Sequence, residues 1–149
     1  FNGDHVIQHG AINIGMAVAL EDGLTLPVIQ NAQALSLRQI SVASRDLATR
    51  ARDNMLGLDE LSGSTFSISN MGMLNVENFI AIINQPNAAI LAVSSASKKA
   101  VVNEDDELEV RLRMNISASF DHRVVDGSVG AKFINVVREY LENPTRLLA

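Results

Sequence analysis

An α/β domain is what the 149-residue sequence predicts, and three patterns carry that expectation. Residues 36–57 and 127–143 repeat apolar side chains at helical spacing. Residues 11–20, 65–69 and 88–93 have the length and composition of strands. Residues 108–120 alternate apolar and polar side chains without a break, which is the half-buried strand pattern.

In chain order, Ile12, Ile14, Met16 and Val18 mark the first strand. Glu21-Asp22-Gly23 makes a turn into a second strand over residues 24–29, and Pro27 inside it predicts an edge or a bulge. Ser36 opens a helix, with Gln39 completing a capping box and Leu35 and Ile40 a hydrophobic staple. Leu37, Ile40, Leu47 and Ala51 form its apolar stripe, Gly57 ends the helical region, and residues 58–61 add one further turn. The strand at 65–69 runs into a loop at Met71-Gly72. The continuous apolar run at 88–93 predicts a central strand. Residues 99–102 and the start of 108–120 form a hairpin around the acidic turn 103–107. As one strand, 108–120 would span ~43 Å, long enough to reach past its own core towards another subunit. The last helix starts near Gly127, with Val129, Phe133, Val136, Val137, Tyr140 and Leu141 on its apolar side, and Asn143-Pro144 stops it.

Composition fits one domain over residues 1–149, with no repeat, linker or low-complexity tract, and it narrows the function classes. Hydrophobic residues make up 47% of the chain, which argues against disorder. The net charge is -5 without a Lys or Arg run, so nucleic acid is a poor candidate partner. No cysteine is present, which removes disulfides, a Cys nucleophile and thiolate metal sites. No apolar stretch reaches membrane-spanning length. His5 and His9 lie in extended chain, ~13 Å apart, with no completing ligands, so no metal site is expected. The chain begins at Phe1 rather than Met and reads as part of something longer.

Chemistry concentrates at Asp121-His122-Arg123-Val124-Val125-Asp126-Gly127, where the alternating strand ends and a helix begins. Such a junction presents a side chain at the rim of a sheet. Spacing alone leaves two readings open. His122 and Asp126 are either a catalytic pair or a core histidine and a helix N-cap. Ser69 is likewise either a functional hydroxyl or the polar face of its strand.

The string from Asp121 to Gly127 resembles the signature of the dihydrolipoyl acyltransferases, the core enzymes of 2-oxoacid dehydrogenase complexes. Phe66-Ser67-Ile68-Ser69-Asn70-Met71-Gly72-Met73 resembles the family's second signature. Ile82-Ile83-Asn84-Gln85-Pro86 and Ala89-Ile90-Leu91-Ala92-Val93 resemble the stretch after it. Asn13-Ile14-Gly15-Met16-Ala17-Val18 and Gly23-Leu24-Thr25-Leu26-Pro27-Val28-Ile29 match upstream, in order. Gln85 stands where the family often has Pro, and Gly63-Ser64 where it often has Gly-Gly.

The resemblance implies the chloramphenicol acetyltransferase-like fold, a two-layer sandwich of a mixed sheet with helices packed on it. It also implies that the N-terminal part of the catalytic domain, and the lipoyl and peripheral-subunit-binding domains, lie outside this sequence. The implied activity is acyl transfer between dihydrolipoamide and coenzyme A, without a metal. Asn78-Phe79-Ile80-Ala81-Ile82-Ile83-Asn84 looks more like the acetyl-transferring members. In the implied roles, His122 is the general base, Asp126 the supporting carboxylate, and Ser69 the oxyanion donor, contributed by the neighbouring subunit. Asn70 and Ser94 fall where the family approaches coenzyme A. The implied partners are a homotrimer built into a larger core, and the 2-oxoacid decarboxylase and dihydrolipoyl dehydrogenase bound through the other domains. The implied location is the bacterial cytoplasm or the mitochondrial matrix. A different class stays open beside this one: a structural assembly core in which His122 and Asp126 serve the fold.

Overall fold

The computed structural model describes residues 1–148. Nine strands and two α-helices follow in the order β1 (Ile14–Met16), β2 (Val18–Leu20), β3 (Gly23–Thr25), β4 (Val28–Ile29), α1 (Leu37–Arg52), β5 (Phe66–Asn70), β6 (Ala89–Val93), β7 (Ser97–Val102), β8 (Leu108–Arg113), β9 (Ile116–Phe120) and α2 (Gly127–Glu142). Five strands form one mixed sheet in the order β4-β1-β5-β6-β9. The β1–β5 and β5–β6 pairs are parallel, and the two outer pairs are antiparallel. β2–β3 and β7–β8 are separate antiparallel hairpins.

β6 lies between two neighbours, and Ala89, Ile90, Leu91 and Ala92 along it are buried, as a continuous apolar run requires. Pro27 falls between β3 and β4, and β4 is an edge strand, where a missing N–H costs least. α2 packs on the face carrying Phe66 and Phe120. The Phe133 ring stands 5.7 Å from Phe66 and 6.2 Å, edge-on, from Phe120. Gly130 makes this approach possible, because a Cβ there would fall 2.7 Å from the Phe120 ring.

α1 starts as the sequence predicts. Ser36 Oγ accepts the Gln39 N–H at 3.3 Å, and Gln39 Oε1 accepts the Ser36 N–H at 2.8 Å. It ends earlier than expected, at Arg52, because Asn54 takes the left-handed conformation (φ 54°) and the Met55 N–H turns back to the Arg50 carbonyl at 2.8 Å. The further turn at Leu58–Leu61 is a 3₁₀ helix. Of the stripe on α1, Leu47 and Ala51 are buried, while Leu37 remains exposed.

Three expected strands are each broken in two, the one over 24–29 at Leu26-Pro27, with β3 pairing β2 and β4 pairing β1. The first divides at Ala17, so that β1 joins the sheet while β2 pairs with β3. The alternating segment divides at Met114-Asn115, with β8 pairing β7 and β9 pairing β6. A period of two continues through a break whatever partner each half takes, so periodicity does not show it. The polar face of β9 is occupied rather than bare. Asn115 Nδ2, Ser117 Oγ and Ser119 Oγ donate to the carbonyls of Glu77, Phe79 and Ala81 at 2.9, 2.7 and 2.6 Å. The segment from Glu77 to Ala81 thereby runs along β9, on the side away from α2. Among the described residues, no helix is long and apolar enough to cross a membrane.

Candidate active site

His122 sits in a β-turn that leaves the end of β9. The Asp121 N–H bonds the Ala88 carbonyl at 2.8 Å, extending the β6–β9 pairing by one residue. The Asp121 carbonyl then accepts the Val124 and Val125 N–H groups at 2.8 and 2.9 Å. The Asp121 carboxylate accepts the Arg123 backbone N–H at 3.0 Å and its guanidinium Nε and Nη2 at 2.9 and 2.6 Å. These bonds from Arg123 hold Asp121 well below the usual carboxylate range, at about 2. The Arg123 guanidinium also lies 4.6 Å from the centre of the Phe1 ring.

The side chain of His122 itself is exposed, and its ring makes no hydrogen bond among the described residues. Within the described residues His122 is therefore not packed into a core. Asp126 does occupy the N-cap position of α2, and its carbonyl accepts the Gly130 N–H at 2.9 Å. Its carboxylate, however, makes no capping bond and is exposed. Backbone geometry, not the side chain, performs the helix start, and the carboxylate is left free of it.

The other candidate residues gather where β5 and β6 end. Ser69 pairs with Ala92, and Asn70 with Val93, in the parallel ladder. Asn70 Oδ1 accepts the Gly72 N–H at 2.8 Å, which turns the chain out of the sheet. Ser95 Oγ donates to the Met71 carbonyl at 3.3 Å and closes the loop from the other side. A Cβ on Gly72 would stand 3.0 Å from Asn70 Oδ1, so the loop is tight at that point. Ser94 is 2% exposed, and its Oγ is the one buried side-chain polar atom without a hydrogen-bond partner among the described residues. Ser69 shares a sheet face with Ser67, whose hydroxyl accepts from Asn87 Nδ2 at 2.7 Å.

The structure thus brings Ser69, Asn70 and Ser94 together at one end of the sheet and His122 and Asp126 at the other. Ser69, Ala92 and Ser117 share a rung, and the His122 turn begins only after Phe120. Three residues of strand, ~10 Å, and two inter-strand steps of ~4.8 Å separate Ser69 from Phe120. No side-chain rotation within one chain closes that distance. The sequence reading missed the Asp121–Arg123 pair. Its only local signal was an Asp and an Arg flanking the histidine.

A family description, the catalytic domain of the 2-oxoacid dehydrogenases acyltransferases, matches residues 1–149. The mitochondrial dihydrolipoyllysine-residue acetyltransferase component of the pyruvate dehydrogenase complex of Schizosaccharomyces pombe is 43% identical over 148 residues, covering 98% of this chain and 31% of that protein. The solved Azotobacter vinelandii dihydrolipoamide acetyltransferase, studied for the roles of a serine, a histidine and an asparagine in its catalytic mechanism, superposes with a TM-score of 0.92 at 35% identity, covering 99% of this chain and 60% of that one. The cubic core of a pyruvate dehydrogenase multienzyme complex also gives a TM-score of 0.92, at 36% identity, with the same coverage. The chain spans about a third of the length of the curated relatives it matches. Sheet order, helix placement and these likenesses agree on the chloramphenicol acetyltransferase-like fold, and the chain belongs to the catalytic-domain family of the 2-oxoacid dehydrogenase acyltransferases.

Proposed function

We propose that this chain, within its full-length assembled protein, transfers an acyl group between dihydrolipoamide and coenzyme A. The observation that carries the reading is His122: an exposed, unbonded imidazole at the end of a sheet strand, on a turn braced from both sides. Family membership supports the same reaction class.

His122 takes the proton from the attacking thiol. The thiolate sulfur bonds to the thioester carbonyl carbon, a tetrahedral oxyanion forms, and the other sulfur leaves and receives the proton. A thiol near ~8.5 and a histidine near ~6.5 make full proton transfer uphill by roughly 2.7 kcal/mol, within the reach of a positioned general base. Ser69 donates to the oxyanion. Because Ser69 and His122 lie at opposite ends of one sheet, the Ser69 that meets a given His122 comes from a neighbouring copy. Asp126 supports the base with a carboxylate free of capping duty. Asn70 and Ser94 approach coenzyme A. The buried, unpartnered Ser94 hydroxyl suits that role, since leaving such a group unpaired costs ~1–3 kcal/mol that a ligand can offset.

The copies assemble as trimers within a larger core, and the likeness to a cubic core supports this. The lipoyl group arrives on another domain of the protein, and the 2-oxoacid decarboxylase and dihydrolipoyl dehydrogenase bind through further domains. Residues 78–84 favour acetyl as the acyl group. The protein works in the bacterial cytoplasm or the mitochondrial matrix, a reading that a bacterial and a mitochondrial relative support. The test is acyl transfer from acetyl-dihydrolipoamide to coenzyme A, followed by chromatographic separation of the acetyl-coenzyme A formed, with the full-length protein and with residues 1–149 alone. Turnover by the full-length protein supports the reading. Assembly without turnover in either form assigns the chain instead to a structural core.

A further inference from the structure

We propose that Asp121, clamped by Arg123, is a positioning residue that fixes the backbone from which His122 reaches its substrate. The proposal rests on the acyl-transfer reading above and deepens it.

Three sets of bonds meet on Asp121. Its N–H is fixed to the Ala88 carbonyl at the start of β6, which ties the turn to the sheet. Its carbonyl closes the turn through Val124 and Val125. Its carboxylate takes both the backbone N–H and the guanidinium of Arg123. Residues 121 and 123 are therefore locked to each other across residue 122. The His122 ring has no partner of its own among the described residues, so nothing at its tip fixes it. Its direction is inherited from the Cα–Cβ bond that the turn sets. The Asp121 side chain is 19% exposed and its Arg123 partner 57%, so the carboxylate end of the pair is the sheltered one. The guanidinium offers a planar fork, which fixes geometry as well as charge. A base displaced by ~1 Å can lose ~10²-fold in rate, so a turn of this kind has kinetic value even where it contributes little to stability.

The experiment is a double-mutant cycle in the full-length assembled protein, with melting temperature and particle size checked for each variant. Asp121→Ala is expected to lower kcat by ~10- to 100-fold with KM for either substrate within about twofold. Asp121→Asn still accepts the Arg123 N–H and recovers most of that loss. In the His122→Ala background, Asp121→Ala costs nothing further, because there is no base left to aim. Wild-type kcat in Asp121→Ala, alongside an inactive His122→Ala, overturns the proposal while leaving the function standing. So does a loss that simply multiplies with that of His122→Ala, which marks a general structural role. If Asp121→Ala does not assemble, Arg123→Gln takes its place, with a smaller loss and the same non-additivity expected. A wild-type kcat in Arg123→Gln then overturns the proposal. Hydrogen exchange gives a readout apart from acyl transfer. The Val124 and Val125 amides exchange faster in Asp121→Ala, and unchanged protection there overturns the proposal even if the wild type proves inactive.

Discussion

The imidazole of His122 is solvent-exposed and unbonded, so its removal leaves neither a cavity nor an orphaned partner. His122→Ala is expected to melt and assemble as the wild type does while kcat falls ~10²–10⁴-fold. Asp126→Asn keeps the shape and discards the charge. Since the Asp126 carboxylate makes no cap bond, the ~1 kcal/mol that a capping side chain would contribute is not at stake. Near-native melting is expected, with kcat reduced by less than in His122→Ala. In Asp126→Ala, which cannot cap, a melting point lowered by several degrees with kcat intact restores the capping role. Ser69→Ala is expected to lower kcat by roughly 10²-fold with little change in KM, because the oxyanion bond strengthens only as the transition state forms. Unchanged kcat in that variant returns Ser69 to the polar face of β5. All three residues stand out in the sequence as candidates because they lie in short contiguous motifs that resemble a family's signatures. Asp121 does not, because its role depends on how a turn folds its carboxylate back onto the backbone two residues on.

Elements set by local chemistry were equally legible. The Ser36–Gln39 box is written into four consecutive residues, and α1 starts there. The end of α1 depends on Asn54 entering a left-handed conformation, which Asn tolerates but does not announce. The breaks in strand pattern at Ala17 and Met114-Asn115 depend on which partner each half finds, and a period of two is blind to that, whereas the break at Leu26-Pro27 was signalled by its proline. Beyond its end, α1 is tied down by charge. The Arg50 guanidinium bridges Asp46 on its own helix and Glu60 on the following 3₁₀ turn. Hydrogen bonds from the Arg50 side chain and the Gly57 backbone lower Glu60 to about 2. A carboxylate depressed in the folded state stabilises fully above its unfolded pKa of ~4.3 and loses that contribution as pH falls towards the folded value. Denaturant titrations between pH 5 and pH 2 are therefore expected to show a smaller fall in stability for Glu60→Gln than for the wild type. Equal falls mean that the bridge contributes nothing measurable. Asp121, also held near 2, titrates in both proteins and cancels from the comparison.

Much apolar surface remains uncovered on the single chain. Leu108, Val110 and Leu112 on β8 are 78, 68 and 69% exposed, and Ile80 and Ile82 on the segment running along β9 are 82 and 91% exposed. A two-stranded hairpin such as β7–β8 is marginal without a layer against it, and apolar surface on this scale marks an interaction site. The full-length protein is accordingly expected to sediment as a trimer or larger, and a stable monomer at micromolar concentration counts against assembly through these faces. The division of the site between two ends of one sheet carries a further, genetic consequence. Ser69→Ala chains retain a working histidine, and His122→Ala chains retain a working serine. Each kind alone forms only defective sites. Dissociated, mixed in equal amounts and reassembled, the two kinds place an intact histidine opposite an intact serine at roughly one junction in four around a cyclic ring. Two inactive parents therefore complement each other to about a quarter of the wild-type activity. A site contained within one chain gives no such revival.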